Sequence, residues 1–271
     1  MGHRGAQDVD QSLALARGAL RGSIVLPPAR RLGLLLLSLM IVGWPQGAFA
    51  YRPFDSTDPA VADPGELEIE FSPVSFRRGD SGETWTAPQL KVNYGIAPNW
   101  EFVIEGQGEH PQFDGASSVM VDNAVFLKHV VREGTLQEQE GLSIAIEFGA
   151  LLPGINDESG LGAEVAGIVG NQWDWGAIYF TAAAALTRDG HSEMFLGTII
   201  EGPFDWPVRP VAELVYEREF GTSTEVFAAL AGVIWEAREG LAFDLAVRQA
   251  AVDGEPETEI RVGLTFAFST R

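Results

Sequence analysis

Glu66, Glu68 and Glu70 occupy every second position of a run whose intervening residues, Leu67, Ile69 and Phe71, are apolar. Successive side chains of an extended chain point to opposite faces, so the three carboxylates form a ladder on one face and the apolar groups line the other. Such a ladder accepts hydrogen bonds, pairs with Lys or Arg and attracts cations. The same parity applied to other alternating runs supplies partners: Lys91 and Asn93, Asp244 and Arg248, and Arg261. If the first and last runs lie side by side, Glu66, Glu68, Glu70, Lys91, Asp244, Arg248 and Arg261 form one charged cluster. Glu105, Lys128 and Glu147 form a second, with one Lys between two acids. Opposite charges on adjacent strands contribute about 0.2 to 1 kcal/mol each. Two readings stay open, pairs that brace a polar interior and groups that select a solute.

Bond-making chemistry finds less support. His3 precedes the apolar leader, and His110, His129 and His191 stand on separate segments. His191, Ser192 and Glu193 are consecutive, but neighbours on a strand face opposite ways and cannot form a relay. His129 shares parity with Val125 and Leu127, which places it outward. No H-E-x-x-H, G-x-S-x-G or phosphate loop occurs, so the chain reads as a non-enzyme with no cofactor. Asp157 and Glu158, after Leu151 to Asn156, read as an external turn before a Ca²⁺ site, and Asp55, Asp58 and Asp63 as a polar approach with Pro53, Pro59 and Pro64.

The elements that carry these residues alternate with period two in segments of about ten residues closed by Gly, Pro, Asn or Asp. The last is the clearest: Ile260, Val262, Leu264, Phe266 and Phe268 on one parity, with Arg261, Gly263, Thr265 and Ala267 on the other. Its wholly apolar face fits a strand that meets lipid. The pattern predicts an antiparallel, up-and-down transmembrane β-barrel of about twelve strands. They run near 66 to 76, 84 to 97, 100 to 110, 119 to 131, 141 to 152, 161 to 171, 174 to 187, 191 to 202, 208 to 219, 224 to 237, 240 to 250 and 258 to 268. An even count returns both termini to one side. Trp100, Trp173, Trp175, Trp206 and Trp235 all fall near turns on that side, as one aromatic girdle would, while Trp85 falls near the other. The opposite loops are modest, which argues against a large lid or plug domain.

Residues 30 to 50 carry the parts of a secretory signal: Arg30 and Arg31, the apolar stretch Leu32 to Val42, and Ala48, Phe49 and Ala50 as an A-x-A site. The expected organisation is therefore an extension and signal peptide over 1–50, a periplasmic segment over 51–65 and the barrel over 66–271. The chain carries 18 Lys+Arg against 38 Asp+Glu, a net charge of −20. Its first fifty residues hold 5 Arg and 2 Asp, which leaves 13 basic and 36 acidic residues, a net of −23, in the rest. Nucleic acid is accordingly not a partner. Cys is absent, which removes disulfide, thiolate and Cys-metal chemistry.

Several short motifs resemble the outer-membrane family named for the MetA pathway of phenol degradation. They are Tyr51, Arg52, Pro53, Phe54, Asp55, Ser56, Thr57, Asp58, Pro59 and Ala60 with Pro64, Gly65 and Glu66 to Glu70; Tyr94 to Glu101; Phe126, Leu127 and Lys128; and Leu152, Pro153 and Gly154. The chain departs from the family where Leu127 and His129 flank the strand Lys, and where Ser269, Thr270 and Arg271 follow the terminal aromatic. The resemblance implies an outer-membrane barrel often labelled a transporter, linked to aromatic or other hydrophobic compounds. The expectation is a porin-like passive channel or transporter for a small solute, with outer-membrane lipid and the barrel-insertion machinery as further partners. The alternatives are a non-transporting structural or adhesion barrel and a secreted β-barrel that binds an apolar ligand.

Overall fold

The computed structural model describes residues 52–80, 82–113, 115–157 and 159–270. The signal sequence, its cleavage site, Tyr51, Glu158 and Arg271 lie outside the described residues. Twelve strands follow in chain order: β1 Glu66–Gly79, β2 Gly82–Ala97, β3 Trp100–Pro111, β4 Val119–Arg132, β5 Ser143–Leu151, β6 Gly162–Trp173, β7 Gly176–Leu186, β8 Ser192–Glu201, β9 Val208–Phe220, β10 Glu225–Arg238, β11 Leu241–Val252 and β12 Glu255–Ser269. Each pairs antiparallel with its sequence neighbour, and β12 pairs with β1 to close the barrel. Every strand read from the period-two pattern is present, with ends displaced by three residues at most.

The pattern works because only one face of each strand has to be apolar for the lipid. Leu90, Ile104, Val165, Phe180, Ile200, Leu214, Leu245 and Ile260 point outward and stay exposed, Leu214 at 62%. A continuous apolar belt of this kind on a closed barrel is a membrane-facing surface, since soluble monomers rarely expose apolar patches beyond a few hundred Å². At the seam, Phe266 pairs with Ile69 and Leu241, and Phe268 with Leu67. Closure leaves no free edge whose backbone groups would meet hydrocarbon. The two chain ends meet there, with the Thr270 amide and hydroxyl both donating to the Gly65 carbonyl at 2.8 and 2.7 Å.

Three segments differ from the sequence reading. The expected loop at Val252 to Pro256 is a two-residue turn: Asp253 and Gly254 both have positive φ, 53° and 89°, and β12 starts at Glu255. Two left-handed residues give the turn whose twist matches the flanking strands, so Asp-Gly shortened the loop. The long turn over Glu133 to Glu140 folds over the barrel end through a 3-10 turn at Thr135–Gln137. There Leu136 packs beside Ala177, Tyr179 and Ile199.

The third difference is the largest. Residues 52–65, expected outside the barrel, run within it. Arg52, Pro53, Ser56, Asp58, Pro59 and Ala60 are buried against inward-facing wall residues. The reason is complementarity of charge and shape, which has no period and so left no trace in the alternation pattern.

A charged lumen and the segment seated in it

The inward parity of the strands builds the lumen wall, and residues 52–65 hold to it along their length. Arg52 lies 3.5 Å from Asp244 on β11 and donates to Gln89 on β2 at 2.7 Å. The carboxylate of Asp55 bridges two strands, 2.9 Å from Arg248 Nε on β11 and 2.6 Å from Arg261 Nη1 on β12. Burial pushes the Asp55 carboxyl up, but the two guanidiniums outweigh it and hold the group below its ordinary range. Glu213 on β9 accepts the backbone amides of Asp55 and Ser56 at 2.8 and 2.7 Å. Lys128 on β4 donates to the Thr57 hydroxyl at 3.0 Å and lies 3.8 Å from Asp58. Glu101 on β3 accepts the Ala62 amide at 2.7 Å. Phe54 packs on two apolar clusters, Val211, Ile234 and Ala242, and Ala177, Tyr179 and Ile199.

The wall also has sockets. Side chains at the inward positions Gly197 and Gly263 would collide with Ser56 and Arg52 respectively, and one at Gly170 would collide with Tyr179 and press on Pro59. Gly95 faces the Asp63 carbonyl in the same way. From the barrel end, Gln137 Nε2 donates to the Pro59 carbonyl at 3.2 Å. The segment thus runs from the barrel end that carries the termini, where it enters β1, to Arg248 and Arg261 beyond the middle of β11 and β12.

The residues singled out from the sequence are placed as follows. Glu68 and Glu70 share Asn93, whose Nδ2 donates to them at 3.2 and 2.8 Å, while Glu66 Oε2 accepts the Asp63 amide at 3.1 Å. Lys91 pairs with Glu105 at 2.8 Å. Arg261 does not stand beside the Glu ladder: it is opposite Ser75, because Glu68 and Glu70 face Ala267 and Thr265 in the seam register. Its wall partner is Glu259, at 2.9 Å. Asp244 and Arg248 face Arg52 and Asp55, so the seven residues divide between the β1–β2 pair and the seated segment. The second grouping divides too. Lys128 is opposite Glu101 and Glu147 in register, while Glu105 belongs to Lys91.

Trp173 stacks on Trp175 with centroids 5.2 Å apart, Trp235 on Phe243 at 5.5 Å, and Trp100 on His129 at 4.1 Å. Trp173, Trp175, Trp206 and Trp235 are exposed, all at the terminus-bearing end. His110 lies 2.7 Å from Ser118 and from the Ala87 carbonyl, and His191 3.0 Å from Glu219. Neither forms a Ser-His-carboxylate line. Among the described residues no group of three His, Cys, Asp or Glu is arranged to hold a metal.

Sequence reasoning passed over Glu101, Glu213, Glu201 and Arg209, although the parity of their strands marks them as inward. Arg209 pairs with Glu201 at 3.1 Å, both side chains 5% exposed, and its guanidinium sits 4.7 Å over the Phe204 ring. On the other half of the lumen, Glu164 and Glu193 both oppose Ala185, and Glu193 directly opposes Glu219. No salt bridge joins Glu164, Glu193 or Glu217 to a basic side chain among the described residues. Like charges across a strand pair are destabilising, so this carboxyl-rich stripe opposes stability where it stands.

No family model matches the chain, and no curated protein matches it. Among solved structures it is similar to an outer membrane channel from Pseudomonas putida F1, with a TM-score of 0.61 at 10% identity over 79% of this chain and 100% of that one. It is also similar to the NanC porin, with a TM-score of 0.54 at 8% identity over 74% of this chain and 98% of that one. The KdgM porin gives a TM-score of 0.50 at 15% identity over 73% of this chain and 98% of that one. What this chain shares with them is the fold, the closed antiparallel barrel of outer-membrane channels.

Proposed function

We propose that the chain is an outer-membrane channel that passively admits a small solute. The observation that carries this reading is a wall of Glu, Lys and Arg enclosed by a belt of Leu, Ile, Val and Phe: lipid outside, a polar path inside. A lumen that served only as a packed core would gain little from Glu164, Glu193 and Glu217, which form no salt bridge with a basic side chain among the described residues. Residues 52–65 take up part of the lumen section, which favours a small solute. The MetA-like motifs add aromatic or hydrophobic compounds as the solute class, and the acidic stripe favours cationic members of it over anionic ones. Planar-bilayer conductance and liposome swelling with purified protein test the proposal. Discrete conductance steps and uptake of small solutes are expected; a folded barrel that passes neither ions nor small aromatics would defeat it.

A second reading, a non-transporting scaffold, is favoured by one observation, the seated segment itself. A barrel filled across its section would show no conductance in that same experiment.

A further inference from the structure

The barrel closes where β1 meets β12, and residues 52–65 hold both sides of that seam. We propose that this segment is a closing staple, which gathers β11 and β12 against β1 while the barrel assembles. The segment runs directly into β1 through Gly65 and Glu66, so one of its ends is fixed to the first strand. Its other end carries Arg52 and Asp55, which meet Asp244, Arg248 and Arg261 of the last two strands. The signs are complementary at each contact: Arg52 faces an acid, and Asp55 faces two guanidiniums.

Closure needs such help because of the chain length it spans. The seam contact from the Ser72 hydroxyl to the Val262 carbonyl joins residues 190 apart in sequence. The entropy lost on joining two points rises with the chain between them, and the seam can form only after every other strand pair has placed β12 within reach. A segment tethered to β1 and charged to capture β11 and β12 makes that last encounter a local one. Between its ends it touches strands all around the wall. Ala62 contacts β3, Asp58 and Thr57 contact β4, Ser56 reaches β8 and β9, and Asp55 and Arg52 reach β11 and β12. Glu101 and Glu213 receive backbone amides of the segment rather than side chains, so they fix its path and not merely one residue of it.

A passive filler would need bulk; this segment instead has addressed contacts with strands on both sides of the seam. The sockets make the idea separable from any effect on solute passage. Gly197 on β8 gives way to Ser56, and the next nearest atom to a side chain there is Phe195 Cε1, at 3.0 Å. Gly197→Ala therefore removes the seat of the Ser56 hydroxyl and crowds its Cβ, while leaving the charges of the segment and the seam residues in place. Ser56→Gly restores the space.

The full chain, expressed with its own leader in bacterial cells, is followed by pulse–chase for the appearance of the barrel that resists SDS unless heated. Deletion of residues 52–64 should slow that step about a hundredfold, the low end of what tethering contributes. Gly197→Ala should slow it about tenfold, and Ser56→Gly with Gly197→Ala should return it to within about twofold of the parent, as a shared-contact pair requires. The proposal is overturned if the deletion and Gly197→Ala close as fast as the parent, or if the paired variant closes no faster than Gly197→Ala alone. Conductance of the folded Gly197→Ala barrel separates this outcome from the channel reading: a barrel that closes slowly yet conducts supports both, and one that closes slowly and never conducts removes only the channel.

Discussion

Replacing Lys128 by Met tests whether the seated segment is part of the folded interior. The Lys128 side chain is 1% exposed and that of Asp58, 3.8 Å away, is 6% exposed. Thr57 accepts from the ammonium at 3.0 Å, and Glu101 and Glu147 stand opposite on the adjacent strands. Methionine keeps the length of the side chain and removes its charge, which leaves Asp58 and Glu101 enclosed with less compensation. Breaking one side of a buried ion pair costs about 3 to 5 kcal/mol. Arg78, paired with Glu83 at 3.4 Å with side chains 71% and 41% exposed, supplies the control. Losing such a surface pair costs about 0 to 1 kcal/mol. The two substitutions each remove one positive charge, yet their effects should differ by at least about 2 kcal/mol, more than tenfold in the folding equilibrium. Denaturant unfolding in lipid vesicles, followed by tryptophan emission, measures the difference with slope and midpoint separated. Adding Asp58→Asn to Lys128→Met should recover part of the loss, because the acid then no longer needs its cation. If Lys128→Met unfolded within about 1 kcal/mol of Arg78→Met, the interior would be hydrated and the seating of the segment wrong.

Three other variants probe the exterior, the acidic stripe and the Asp55 latch. Leu214 lies midway along β9 and is 62% exposed; Leu214→Arg should cost about 2 to 4 kcal/mol in lipid, and a shift within about 0.5 kcal/mol would mean that this face meets water. Glu193→Gln combined with Glu217→Gln should lower the preference for cations over anions in reversal-potential measurements across a salt gradient, and an unchanged ratio would remove the stripe from selectivity. The lowered Asp55 pKa means that its contribution is complete above the ordinary value of 3.8 and is lost only as pH falls through the lower folded value. Hydrogen exchange over residues 54–62 should therefore stay slow from neutral pH to just above that value, and become fast at neutral pH in Asp55→Asn. Equal exchange in the two proteins would show that Arg248 and Arg261 do not hold the segment.

The strands were legible because a barrel wall repeats one demand at every second residue. Ile260 to Phe268 shows this in its plainest form, and its outward members pair across the seam as that demand requires. Register was less legible. A bulge between Phe71 and Val74 shifts the pairing by a residue, and the overlap of β1 with β12 sets Arg261 opposite Ser75, four residues from Thr265, the partner of Glu70. Parity fixes which face a side chain takes but not how far along the neighbour it lands. The seated segment was the least legible part. Its sequence, Arg52 to Gly65, alternates in neither helical nor strand fashion, and it reads as a Pro-rich polar approach. Only the wall explains it: four glycines and the buried Glu101, Lys128, Glu213 and Asp244 are shaped to its contours, and they lie on widely separated stretches of chain.

These placements divide one set of lumen residues into two kinds by what faces them. Lys128, Glu213, Asp244, Arg248 and Arg261 meet Asp58, the Asp55 and Ser56 amides, Arg52 and Asp55, so their charges are spent on holding the segment. Glu164, Glu193 and Glu217, by contrast, form no salt bridge among the described residues, with Lys91, Arg188 and Arg248 acting on them only at longer range. In the proposed channel, charge at the stripe and room beside the segment are therefore set by different residues. Substitutions in the stripe should alter which ions pass while leaving assembly intact, whereas Gly197→Ala in a socket should slow assembly.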